Sequence, residues 1–307
     1  MKMDVTWGVA QSGELAWGGI ISIYLFLAGV AGGAFLTSAL TELFSKSRPF
    51  KVIRSGAYIA PVTIVVGLAL LVVDLGRPSS FWKLLLYVNF HSVMSVGVFI
   101  ISLFTAVAVA YAYLIWTAAA AEKRVQITIA GQEMAAAKAN GFQSLRKPVA
   151  VIGSLLALGT AAYTGFLLSA VATNGLWHVN FLGIEGIPFL PILFLVSALS
   201  AGLAATLMGA VDCTDLTAFK KADIILLAIE IILLTILYTS VKAAFFSGGM
   251  AALFWLGVVL IGLLLPLMLA IYGVSTHKNL VLPVCGMVVI GGLCLRYFVV
   301  YSGQLFR

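Results

Sequence analysis

Four short stretches hold most of the chemistry-bearing side chains of an otherwise apolar chain. "DLGRPSSFWK" puts Asp74 and Arg77 where one apolar run stops, and "NFHSVMSVGVF" puts His91 where the next begins. "YTGFLLSAVATNGLWH" holds Tyr163 inside a run and Asn174, Trp177 and His178 just past it, and "SIYLF" places Tyr24 near the start of the first run. Phenol and imidazole groups hydrogen-bond carbonyl and hydroxyl oxygens, while carboxylate and imidazole groups exchange protons with water. Such a set suits a ligand that is apolar in its body, oxygenated at its edges and able to gain or lose protons. Each residue also has a plainer reading. Asp74 and Arg77 can pair at a helix end, Tyr24, Tyr163 and Trp177 can belong to an interfacial aromatic belt, and His91 can bond a backbone carbonyl.

The elements that position these residues follow from composition. Hydrophobic residues make up 62% of the 307, and charged residues only 9%. Soluble domains carry about 25% charged residues. Runs longer than the ~20 residues a spanning helix needs recur along the chain. They predict an all-α polytopic membrane protein with eight spans, roughly 17–43, 52–74, 88–116, 148–172, 188–211, 222–245, 250–274 and 280–303. Residues 1–307 read as one integral membrane domain, with no soluble domain large enough to fold alone. The first run is long enough to span and has little positive charge before it, so a cleaved signal peptide is not expected.

The net charge of +7 sets topology rather than marking a nucleic-acid partner. Loops after spans 1, 3, 5 and 7 hold Lys46, Arg48, Lys51, Arg54, Lys123, Arg124, Lys138, Arg146, Lys147, Lys220, Lys221 and Lys278. The opposite side holds Lys2, Arg77, Lys83, Lys242 and Arg307. The richer side is expected to be cytoplasmic, which places both termini on the outer side of a cytoplasmic membrane. Asp74, Arg77, His91, Tyr24, Tyr163, Asn174, Trp177 and His178 then gather at the outer face from four spans and two loops.

Two charges fall inside spans. Glu230 lies about two turns into span 6 from the cytoplasmic side, and Arg296 lies near the middle of span 8. Each costs at least ~2.5 kcal/mol at mid-membrane unless paired or hydrated. One reading pairs them as a lock between spans 6 and 8; the other makes Glu230 part of a proton path from the cytoplasm. Gly29 and Gly33 in span 1 stand in GxxxG spacing, which suits close helix packing, with a cofactor against the glycine face as the alternative.

Cys213, Cys285 and Cys294 show neither clustering nor CxxC spacing, which argues against a zinc site or iron–sulfur cluster on this chain. His277 falls on the cytoplasmic side and His91 and His178 on the outer side. Only the outer pair could hold a bis-His haem, so haem is not expected. A quinone matches the outer residues best: an apolar ring and tail, and two oxygens that need Tyr or His donors and a nearby proton acceptor. A transporter would call for broken spans and an internal repeat, and the sequence offers neither. A pure membrane anchor is the remaining alternative.

Six elements in order, "YLFLAGVAGGAF", "DLGRPSSFWK", "NFHSVMSVGVF", "YTGFLLSAVATNGLWH", "IPFLPILFLVSALSAG" and "GGLCLRYFVVYSGQ", make the chain resemble the NrfD/PsrC family across nearly its whole length. The resemblance implies two four-helix bundles and a site for menaquinol or ubiquinol near the outer face. It also implies a ferredoxin-like partner with four iron–sulfur clusters docked there, joined to a molybdopterin catalytic subunit or a multihaem cytochrome. Tyr163 matches the family's span 4 tyrosine, and His91 matches a histidine in the polysulfide reductase member. Where that member has Asn and His on span 1, this chain has Ile21 and Tyr24. The expected roles are hydrogen bonds from Tyr163 and His91 to the quinone oxygens, Tyr24 as a third contact and Asp74 as proton acceptor. Arg77, Asn174 and His178 complete the candidate set.

Overall fold

An apolar run in lipid satisfies its backbone by coiling into a helix, because no water is present to hydrogen-bond free N–H and C=O groups. The computed structural model describes residues 17–45, 49–75, 82–83, 92–127, 144–171, 175–213, 216–241, 246–276 and 278–305. Among these residues it has eight helices long and apolar enough to cross a membrane. They are α1 (Gly19–Phe44), α2 (Phe50–Asp74), α3 (Val93–Ile127), α4 (Arg146–Ser169), α5 (Phe189–Met208), α6 (Thr217–Ser240), α7 (Gly248–Ser275) and α8 (Val281–Leu305). Prolines mark several starts: Pro49 and Pro188 stand just before α2 and α5, where a missing N–H costs nothing.

The eight expected spans match in number and order, and α3 and α6 differ in their bounds. Helix α3 continues to Ile127, into the polar stretch, because "TAAAAEKR" favours helix once the chain leaves the membrane. Helix α6 is Thr217–Ser240, five residues nearer the N-terminus at both ends than expected, so Asp223 lies in its second turn and not at its start. In α7, Leu253–Leu264 is wound as a π-helix, with the Leu265 N–H bonded to the Leu260 carbonyl. A Cβ on Gly262 would meet the Gly291 backbone of α8 at 2.6 Å, so the two helices touch backbone to backbone beside this stretch.

Two large apolar cores form. One joins α1–α4 through Phe35, Ile53, Phe104, Tyr111 and Ala157. The other is built mostly from α5–α8, through Phe194, Leu227, Phe254, Leu295 and Phe298. They meet where α1 crosses α5. A Cβ on Gly33 would overlap the Ala198 carbonyl, and one on Gly202 would overlap the Gly33 backbone, while Gly29 faces Ala198 and Arg296. The GxxxG pair therefore serves helix packing.

The N-terminal core also buries a polar knot. Arg146 Nη2 pairs with Glu42 Oε1 at 2.8 Å, the one ion pair among the described residues. Tyr111 donates to Glu42 Oε2 at 2.5 Å, and Ser38 donates to the Ile53 carbonyl at 2.6 Å. The knot ties α1, α3 and α4 together at the ends opposite Tyr24. Arg146→Met leaves a buried carboxylate without its cation and should cost about 3–5 kcal/mol. Adding Glu42→Gln should return part of that loss. Thermal melts of the four proteins in detergent check this, and additive losses would show that the pair is not coupled.

Candidate functional site

Alternating helix directions give the molecule two faces. Helices α1, α3, α5 and α7 begin on the face that the charge distribution assigns to the outside, and we refer to it as the outer face. Tyr24 stands five residues into α1 and is half-buried. Tyr163 stands six residues before the end of α4 and is 9% exposed. Asp74 is the last residue of α2 and is exposed. The electrostatic environment of Tyr24 includes both Asp74 and Tyr163, so three side chains from three helices lie within electrostatic reach at the outer end of the N-terminal core.

Gly97 of α3 makes room for this cluster, and sequence reasoning missed it. A Cβ at Gly97 would overlap the Tyr163 ring, so the ring lies flat against the bare α3 backbone. Gly67 of α2 plays a gentler part, with Leu27 and the Tyr24 carbonyl at 3.4 and 3.6 Å from where its Cβ would stand. The "SVGVF" stretch carried a usable signal, since a lone glycine in a span marks close approach of a neighbour.

His178 takes a different position. It is exposed on the loop after α4, with Nδ1 3.2 Å from the Ser169 carbonyl, so its ring is held at the end of α4. Its neighbour Trp177 is buried, donates to the Val299 carbonyl at 2.8 Å and stacks on Trp17. Arg77, His91 and Asn174 lie outside the described residues.

A second polar region runs through the C-terminal core. Glu230 is 5% exposed and Asp223 2%. The two are seven residues apart on α6, two turns or about 10 Å along one face, and each lies in the other's electrostatic field. The Ser197 hydroxyl of α5 is within hydrogen-bonding reach of Glu230. Arg296 faces Glu230 without a direct ion pair. Its Nη2 donates to the Phe194 carbonyl at 2.9 Å, and its guanidinium lies 3.6 Å from the centre of the Phe194 ring. Asp223 was legible as the i−7 partner of Glu230, but the polar run "DCTDLTAFKKAD" reads first as a loop. Two clefts flank these acids. One, with a volume of about 20 Å³, room for about one water, is lined by Lys220, Asp223, Lys278 and Cys285 at the end opposite the outer face. The other, a crevice too narrow to hold a water, is lined by Ser197, Ser200, Glu230 and Gly291.

Eight membrane-length helices, a tyrosine–tyrosine–carboxylate cluster at one face and buried acids in a second core define a polytopic membrane protein with chemistry in its interior. Residues 7–307 match the family model described as "Polysulphide reductase, NrfD", and the protein belongs to that family of reductase-complex membrane subunits. It is similar to the C subunit of the polysulfide reductase of Wolinella succinogenes, 34% identical over 99% of both sequences. It is also similar to the NrfD homolog of Haemophilus influenzae (30% identical, 95% of each sequence) and to NrfD of Escherichia coli (32% identical, 95% of this protein and 96% of the relative).

Gly97→Ala should strain the Tyr163 ring and cost about 1–3 kcal/mol of stability, the usual penalty for overpacking a filled interior. Tyr163→Ala in the same protein should remove most of that strain. Detergent melts of both variants test it, and a neutral Gly97→Ala would mean the ring moves freely.

Proposed function

We propose that this protein is the quinone-reactive membrane subunit of a respiratory oxidoreductase complex. The observation that carries the reading is the grouping of Tyr24, Tyr163 and Asp74 at one face of a member of a reductase-subunit family. An aromatic wall, two phenols and a carboxylate at the edge of water fit the ring and oxygens of menaquinol or ubiquinol, with its isoprenoid tail in lipid. The face is outer, both termini lie outside, and the membrane is the cytoplasmic one.

Oxidation of a quinol breaks two O–H bonds and releases two protons and two electrons. Tyr163 and His91 hold the two oxygens by hydrogen bonds, with Tyr24 as a further contact. Asp74, exposed at the end of α2, takes up protons and passes them to water outside. Arg77, Asn174 and His178 border the site. The electrons pass to an iron–sulfur subunit docked on the same face, itself joined to a molybdopterin subunit or a multihaem cytochrome.

Tyr163→Phe keeps the ring against Gly97 and deletes only the hydroxyl. One lost hydrogen bond at the reacting oxygen should slow quinol oxidation by about tenfold or more, with assembly intact. Stopped-flow reduction of the partner's clusters by added quinol measures it; unchanged rates would remove Tyr163 from the mechanism.

A second role is favoured by the placement of Asp223. With Glu230 it forms two proton-exchanging steps on one face of α6, starting at a cleft that opens toward the cytoplasmic end. Ser197, Ser200 and Arg296 continue the polar line, and Ser22 and Ser302 lie buried farther toward the outer face. Quinol turnover then draws protons from the cytoplasm through Glu230. In sealed vesicles Glu230→Gln should abolish that uptake while electron transfer continues. Uptake equal to wild type would make Glu230 a structural residue.

A further inference from the structure

Asp223 is buried near the end of α6 opposite the outer face, and its Oδ1 accepts no hydrogen bond from the protein. Leaving a buried carboxylate oxygen in that state is costly, so the groups around it decide what completes it. Two lysines stand close. Lys278 is exposed, and its ammonium is drawn aside to Tyr272, 3.3 Å from the hydroxyl and 5.5 Å from the ring centre. Lys220 precedes Asp223 by one turn of α6 and is half-buried, and no ion pair joins the two. Cys285 of α8 is buried and lies in the electrostatic field of both Asp223 and Lys220.

These groups line the cavity of about 20 Å³, whose remaining walls are apolar, among them Leu207 of α5, Ala270 of α7 and Val284 of α8. A buried water needs roughly 10–15 Å³ and two to four polar partners. Both conditions are met: the Asp223 carboxylate accepts, and the Cys285 thiol and Lys220 ammonium donate. Other small occupants fit poorly. A metal ion would find one carboxylate beside two ammonium groups of its own sign, and an anion would face the buried acid. Farther along the polar line the space closes. The crevice beside Glu230, about 10 Å along α6 from Asp223, has no room for a water. Asp223 thus stands where the wet end of the line gives way to a dry one.

We propose that this cavity binds one water between Asp223, Cys285 and Lys220, and that the water is the port through which cytoplasmic protons reach Asp223. The inference deepens the proton-uptake reading of Glu230 and rests on it. In each transfer the water gains a proton from the mouth of the cleft on a lone pair and gives another to Asp223 Oδ1. One O–H bond forms and one breaks on the water, one O–H bond forms on the carboxylate, and the water is not consumed. The Lys220 charge disfavours a resting hydronium, so the proton moves on to the acid.

The test uses the purified protein and the complex in sealed vesicles. Cys285→Leu and Ala270→Val fill the cavity from two different helices without touching a charge, and thermal melts show which of them is folded. Cys285→Ser keeps the room and offers a stronger donor. Two readouts are taken. The infrared band of the Asp223 carboxyl group, assigned by its loss in Asp223→Asn, reports the hydrogen bond to the water. Proton uptake from the Lys220 side during quinol turnover reports the port. The filling variants should move the band and slow uptake at least tenfold while electron transfer continues, and Cys285→Ser should keep the water-bonded band. Exchange into water labelled with oxygen-18 should shift a water band that the filling variants lack. An unmoved Asp223 band in a folded filling variant overturns the water site. A moved band with uptake at the wild-type rate overturns its role as the port. Wild-type vesicles that take up no protons refute the reading of Glu230 instead, and the infrared comparison still decides whether the water is held.

Discussion

The α1–α5 crossing is the contact on which the rest of the structure depends. Two transmembrane helices gain little from the hydrophobic effect by meeting in lipid, so van der Waals contact has to hold them, and that requires close approach. Gly33 and Gly202 supply it by leaving backbone against backbone. Both polar regions have part of their side chains on these two helices. Helix α1 carries Tyr24 near one end and Glu42 near the other, and α5 carries Phe194, Ser197 and Ser200. A side chain at either glycine would separate the two cores and pull Arg296 away from the helices that enclose it.

Arg296 shows how the protein manages a charge that sequence alone could only flag. Salt-bridge reasoning expects it to seek Glu230. In the structure it spends its contacts on the Phe194 carbonyl and ring, leaving Glu230 with Ser197. A full ion pair in apolar surroundings would fix both charges permanently. A cation held over an aromatic face and near an acid favours a carboxylate there without a fixed ion pair, which is what the proposed proton-exchanging role of Glu230 requires.

The eight spans and their order were legible because a spanning run must be long and apolar, and no other element satisfies that demand. The polar interior was legible only where a charge interrupts an apolar run, as Glu230 and Arg296 do. Asp223 stood at the very start of an expected span, beside a lysine-rich turn, and drew no notice, because helix starts in membrane proteins lie at the water boundary, where charge is cheap. Glu42 and Arg146 sit at such boundaries too, more than a hundred residues apart, and nothing local announces that they meet. Gly97 was hard to read for a different reason. A lone glycine says that something comes close, but what comes close is the ring of Tyr163 on another helix, a shape relation that spacing within one run does not encode.

The two cores treat charge in opposite ways. In the N-terminal core, Phe35 lies about 16 Å along α1 from Tyr24 and about 10 Å from Glu42. It is fully buried, edge-on to Phe104 and tilted against Tyr111. Aromatic and alanine side chains dominate this layer, the buried Thr160 and Thr164 hydroxyls are bonded back to their own helix, and among the described residues no acid lies between the outer cluster and the Glu42–Arg146 knot. On the proposed reading, protons released at Tyr24 and Tyr163 leave by the near face, through Asp74. In the C-terminal core, acids and hydroxyls recur at intervals of two turns or less from Asp223 past Arg296. A protein that released protons on one side and took them up on the other would need this arrangement: one core closed by aromatic packing below its site, and one left polar along its length. The α1–α5 contact joins them, with Gly33 and Gly202 backbone to backbone between the helix that carries Tyr24 and the helix that carries Ser197.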